Sequence, residues 1–79
     1  MSEYIYDEKE IYYVYKWYNI DTGFVFYIGK GSGRRYKKTD ARNNYFKNYY
    51  NAHNCAAEII YSNLSERNAF DKEMELIRA

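Results

Sequence analysis

Seventy-nine residues are enough for one small domain, which buries a smaller share of its surface than a longer chain does. A hydrophobic fraction of 47% argues against a disordered chain, although much of it comes from twelve tyrosines, whose rings pack while their hydroxyls seek partners. The net charge of +1 is far from the strongly basic balance of a typical nucleic-acid-binding domain, so any electrostatic contact must come from local clustering.

Such a cluster exists. Lys30, Arg34, Arg35, Lys37, Lys38, Arg42 and Lys47 face only Asp40, between acidic segments holding Glu3, Asp7, Glu8 and Glu10 on one side and Glu66, Asp71, Glu73 and Glu75 on the other. A basic region of this density can dock phosphates. The one cysteine, Cys55, has no partner for an intramolecular disulfide, and no apolar run is long enough for a signal-peptide core or a membrane span. A reducing cytoplasm is the default expectation, with Cys55 a small core residue.

In chain order, residues 1–10 read as a polar lead-in and 11–79 as the domain. Ile11 to Asn19 is aromatic and β-branched, which predicts a strand. Asp21-Thr22-Gly23 is a turn signal, and Phe24 to Ile28 is a second strand, so the pair forms an antiparallel hairpin. Gly29-Lys30-Gly31-Ser32-Gly33 is expected to break that strand, and residues 34–38 to make a short helical turn. Tyr45, Phe46, Tyr49, Tyr50 and His53 recur at helical spacing between about Asn43 and His53. Ala56 to Tyr61 reads as a third strand. Ser65 is placed to cap a last helix with Ala69, Phe70, Met74 and Ile77 inward. The resulting order, β-β-α-α-β-α, predicts an α+β domain with a small, largely antiparallel three-stranded sheet flanked by helices. The helical pattern is still running at Ala79 with no closing cap, the end expected of a truncated chain.

Several residue types here could carry chemistry. The glycine loop fails as a nucleoside-triphosphate loop, because Lys30 is followed by Gly31 rather than Ser or Thr. It can still expose amides to a phosphate, or serve as a plain turn. Arg34 and Arg35 offer donor forks matched to phosphate oxygens, though paired arginines after a turn are commonly solvated. Glu73 lies four residues after Ala69 and four before Ile77, at or beside the packed face. A carboxylate there either pairs with a basic residue or binds a metal. Tyr15 and Tyr27 are on neighbouring strands; such tyrosines usually pack, but a phenol can relay a proton from water when cations lower its pKa. His53 reads as a packing or capping residue, with no partner at zinc-ligand spacing.

Taken in order, Tyr13-Val14-Tyr15, a turn, Tyr27-Ile28-Gly29, an arginine beyond it and a glutamate on a late helix resemble the GIY-YIG nucleases. That family includes homing endonucleases, some restriction enzymes and a DNA-repair incision enzyme. The likeness runs from about Ile11 to Ile77; the second motif is intact, and the first has Tyr13 where the family has glycine. It implies a metal-dependent DNA endonuclease. Tyr15 and Tyr27 match the motif tyrosines, Arg35 the catalytic arginine (with Arg34 the second candidate) and Glu73 the ligand of one Mg2+ or Mn2+ ion. Lys30 is expected to face the same site. Arg34, Lys37, Lys38, Arg42 and Lys47 are the candidate DNA contacts.

Two departures stand out. Thr39 to Asn44 holds no histidine where many members have one, leaving Asn43 or Arg42 for that place, and the chain ends before the segment that usually supplies an asparagine. DNA is the implied partner, with targeting left to a partner protein or a further segment. A catalytically weak module that binds DNA or protein is the competing reading, and a tyrosine-rich structural domain leaves the ordered motifs unexplained. The enrichment in Tyr, Asn, Lys and Ile suits an AT-rich bacterial or phage genome.

Overall fold

The computed structural model describes residues 9–37 and 42–78; most of the expected lead-in, Lys38 and residues 39–41 lie outside the described residues. Strand β1 (Tyr12–Asn19) is central, between β2 (Val25–Ser32) and β3 (Cys55–Leu64), in a sheet of order β2-β1-β3 with both pairings antiparallel. Strand β1 buries residues on both faces of the sheet. Tyr13, Tyr15 and Trp17 go into one face, while Val14, of opposite parity, is fully buried. The predicted α+β class and three-stranded sheet are therefore present.

The hairpin turn is made by Asn19. Its side-chain oxygen accepts from the amides of Asp21 (2.9 Å) and Thr22 (3.3 Å), and Gly23 supplies the left-handed step at φ 78°. Asn19 is a buried polar residue, and its amide nitrogen also donates to the Tyr49 hydroxyl at 3.3 Å, so its burial is compensated.

The expected break at the glycines does not occur. Strand β2 continues through Gly29, Lys30 and Gly31 to Ser32, with Gly31 opposite Tyr13 and Gly29 opposite Tyr15. Only at Gly33, φ 64°, does the chain leave the strand, into a 3₁₀ turn at Arg35–Lys37. Gly29 and Gly31 are thus held in the β1–β2 ladder rather than exposed as a phosphate loop.

Helix α1 (Asn44–Ala52) starts at Asn43, whose side chain accepts from the Phe46 amide at 2.9 Å, and ends at His53. His53 also packs on Tyr49, ring centroids 4.3 Å apart, the packing and capping role expected of it. Phe46 is fully buried, edge-on to Trp17 at 5.3 Å and close to Phe26 and Tyr27; Tyr49 stacks on Phe26 at 4.4 Å. Tyr45, expected on this stripe, is 60% exposed, because the helix is turned to present Phe46 and Tyr49 instead. Cys55 is half-buried at the margin of this cluster rather than in its centre.

Helix α2 (Glu66–Arg78) packs on β1 and β2, and the Ser65 hydroxyl accepts from the Asn68 amide at 3.2 Å as its expected cap. Of its predicted inner face only Ala69 is fully buried, while Phe70 and Ile77 are 37% and 54% exposed. Leu76 and Ile77 instead line an open groove against Ile28 and Ile60, so the last turns stand off the sheet. No helix among the described residues is long and apolar enough to cross a membrane.

Phe46 is the keystone of the aromatic layer, and Phe46→Ala should lower unfolding free energy by about 3–5 kcal/mol. Against a typical total of about 5–15 kcal/mol, a urea titration should show a clearly lower midpoint with little change in slope.

Candidate active site

Residues from four elements and one loop meet in a cleft of about 230 Å³ lined by Tyr15, Tyr27, Gly29, Lys30, Arg35, Arg42 and Glu73. Strand β1 supplies Tyr15, β2 supplies Tyr27 to Lys30, the 3₁₀ turn supplies Arg35, the entry to α1 supplies Arg42, and α2 supplies Glu73. A larger groove of about 600 Å³ lies between the sheet and the end of α2. Its lining is mostly apolar, and its one ion pair, Lys16 with Glu58, is satisfied at 3.7 Å. The smaller cleft is the one with convergent polar groups, and it is the candidate site.

Gly29 makes room for the two phenols. A Cβ at this position would stand 2.7 Å from both Cζ and the hydroxyl of Tyr15 and 2.9 Å from Cε1 of Tyr27. Its backbone is not left-handed, so glycine is required for space and not for conformation. The rings of Tyr15 and Tyr27 consequently sit with centroids 6.1 Å apart.

Arg42 lies over both rings. Its Cζ is 5.5 Å from the Tyr15 centroid, 4.9 Å from that of Tyr27 and 5.5 Å from that of Phe46. Nη1 donates to the Tyr27 hydroxyl and Nη2 to the backbone carbonyl of Arg35, each at 3.1 Å. The Arg35 side chain remains exposed at the rim.

The 3₁₀ turn is itself gripped from β1. The Tyr13 hydroxyl donates to the Gly33 carbonyl (2.9 Å) and accepts from the Tyr36 amide (3.1 Å), and the Trp17 indole donates to the Tyr36 carbonyl (2.9 Å). Both backbone groups of the residue after Arg35 are thus fixed by side chains of the central strand.

Two titrating groups of the cleft are perturbed. Burial, reinforced by the neighbouring Tyr27, raises Tyr15 above the ordinary phenol range; Arg42 pulls the other way without prevailing. Tyr15 is therefore a protonated donor at neutral pH, which corrects the expectation of a cation-lowered phenol at this position. Burial also raises the Glu73 carboxyl, against the opposing Lys30 ammonium and a hydrogen bond from the Lys30 amide. The Lys30 ammonium itself stands 3.9 Å from Glu66, two helical turns before Glu73.

Of the expected site residues, the cleft gathers Tyr15, Tyr27, Lys30, Arg35 and Glu73. Among the expected DNA contacts, Arg34, Lys37 and Lys47 are exposed outside it, and Lys38 lies outside the described residues. Arg42 is the exception: placed in that group from sequence, it sits inside the cleft. Asn43, the other candidate for the family histidine's place, caps α1 instead. Comparison with protein-family models, curated proteins and solved structures found no match to this chain.

Gly29→Ala should displace Tyr15 and open the aromatic layer, seen as a lower melting temperature and altered tyrosine signals in near-ultraviolet circular dichroism. Glu73→Gln should do the opposite to stability. Because the folded-state pKa is raised, ionised Glu73 costs stability, and this cost grows as pH rises from the ordinary carboxylate range through the raised value. The variant should melt higher than wild type at pH 7, and the difference should vanish once the pH falls below the unfolded-state pKa of about 4.3.

Proposed function

We propose that this chain is a metal-dependent DNA endonuclease domain of the GIY-YIG type, hydrolysing phosphodiester bonds. The observation that carries this reading is the meeting in one cleft of Tyr15, Tyr27, Lys30, Arg35 and Glu73, residues up to 58 positions apart. The α+β element order, β1, β2, the 3₁₀ turn, α1, β3 and α2, supports this reading.

Each residue has chemistry suited to a phosphodiester. Arg35, at the rim, offers a planar fork to the non-bridging oxygens and steadies the negative charge growing there. The Tyr27 hydroxyl is half-buried and can both accept and donate, so it takes a proton from attacking water while releasing its own to solvent water at the open cleft. Tyr15 stays protonated and donates to the charged oxygens or to its neighbour. As the new P–O bond to water forms in line, the bond to the leaving oxygen breaks. Lys30 keeps positive potential near Glu73.

The donor set fits a magnesium-type ion. Among the described residues lining the cleft Glu73 is the one carboxylate, so water and phosphate oxygens would complete the shell. That carboxylate is partly desolvated and held above its ordinary pKa, a state that a bound cation would relieve. Bound at Glu73, the ion would act as a Lewis acid toward the phosphate and the leaving oxygen. The exposed Arg34, Lys37 and Lys47, with exposed Tyr45 on α1, offer phosphate and base-stacking contacts outside the cleft.

The test is nicking of supercoiled plasmid with Mg2+ or Mn2+, with chelator, and with Glu73→Gln. Cleavage should require the metal and fall in the variant by more than the roughly 100-fold typical of losing an outer-shell group. Plasmid retarded in a gel but never cut would instead identify a DNA-binding module, and neither binding nor cleavage would overturn the nucleic-acid reading for this chain.

A further inference from the structure

Arg42 is the residue whose place in the cleft its position in the sequence explains least. It is seven residues beyond Arg35, in the stretch read only as a DNA-contacting surface or a stand-in for a family histidine. A phosphate-binding arginine would direct its fork outward. Here Nη1 is turned to the Tyr27 hydroxyl and Nη2 to the Arg35 carbonyl, with the guanidinium plane close to the rings of Tyr15, Tyr27 and Phe46. Each of the two terminal nitrogens has thus committed a donor inside the protein, and the side chain is half-buried.

This geometry has two consequences. A phenol oxygen that accepts from a guanidinium must send its own proton elsewhere, so Arg42 sets the direction in which the Tyr27 hydroxyl donates. The same guanidinium also ties down the backbone of Arg35, whose side chain is the one left at the rim. A single cation therefore braces the proton-relaying phenol to the charge-stabilising arginine.

We propose that Arg42 is a positioning residue for phosphodiester cleavage, a brace that orients the Tyr27 hydroxyl and holds Arg35 at the cleft mouth. The assignment rests on the nuclease reading. Its physical content is the fork: two hydrogen bonds in fixed directions, on a flat cation that lies against rings. Lysine has the charge but not the fork or the flat face, so it cannot replace arginine here. Phe46 and the two tyrosines form the seat, and α1 begins immediately after at Asn44, which links the brace to the packed core.

The experiment compares wild type, Arg42→Lys and Arg42→Ala in plasmid nicking with Mg2+, alongside melting curves and with free guanidinium at concentrations well below denaturing. If Arg42 is the brace, Arg42→Lys should lose about 100-fold or more in kcat, the scale on which misplacing reacting groups by an ångström acts, with KM for the plasmid nearly unchanged. Arg42→Ala should recover part of its rate when guanidinium is added, a response that lost fold stability cannot produce.

Wild-type kcat in Arg42→Lys would overturn the proposal while leaving the nuclease reading intact. So would a raised KM at unchanged kcat, which marks a DNA contact. A rate loss in Arg42→Ala that guanidinium fails to restore, matched by a lowered melting temperature in both variants, would assign Arg42 to the fold alone. Wild-type protein that does not cleave would remove the nuclease reading and this role with it.

Discussion

Tyr15 and Gly29 face each other across the β1–β2 ladder, and there is no room between them for even one additional methyl group. This close approach sets the register of the hairpin, since a one-residue slip would place Lys30 opposite Tyr15 and reverse which residues face the cleft. It lets Tyr27 come alongside Tyr15, and the two rings then form the surface on which Arg42 lies. Phe46 packs against Trp17, Phe26 and Tyr27 next to them, so the wall of the cleft is also part of the hydrophobic core.

Sharing a wall with the core has an energetic consequence. Burial in the cleft wall raises the proton affinity of Tyr15 and of Glu73. For Tyr15 this keeps a donor in place at neutral pH. For Glu73 it leaves a carboxylate partly stripped of water, only partly compensated by the Lys30 ammonium and amide. A carboxylate held inside a fold at a cost to stability is a common mark of a functional site.

The arginine-bearing turn depends on the sheet rather than on its own backbone. A single 3₁₀ turn has few internal hydrogen bonds, and here Tyr13 and Trp17 of β1 hold its Tyr36 amide and carbonyl. Tyr13, which occupies the place of a glycine in the motif it resembles, is a structural element here: its hydroxyl spans Gly33 and Tyr36. The several tyrosines of β1 and β2 thus divide into rings that fill the core and hydroxyls that fasten the loop and edge the cleft.

Sequence by itself was enough for the features that local chemistry controls. An aromatic and β-branched run marked β1, the segments Phe24–Ile28 and Ala56–Tyr61 marked the cores of β2 and β3 but not their ends, Asp21-Thr22-Gly23 marked the hairpin turn, and Ser65 marked the start of α2; the resemblance in motif order pointed to Tyr15, Tyr27, Lys30, Arg35 and Glu73, which share one cleft. Glycine content suggested a break at Gly29, yet pairing with β1 keeps the strand going to Ser32, because ladder hydrogen bonds and the space needed by Tyr15 outweigh glycine's weak strand preference. Helical periodicity placed Ile77 and Phe70 inward, but it cannot report how far a helix end stands from the sheet it crosses. The sheet order, the proton affinities of Tyr15 and Glu73, and the seat of Arg42 were decided only by the tertiary structure. Each depends on distances between residues far apart in the chain and on how much water their packing excludes, quantities that no local pattern encodes.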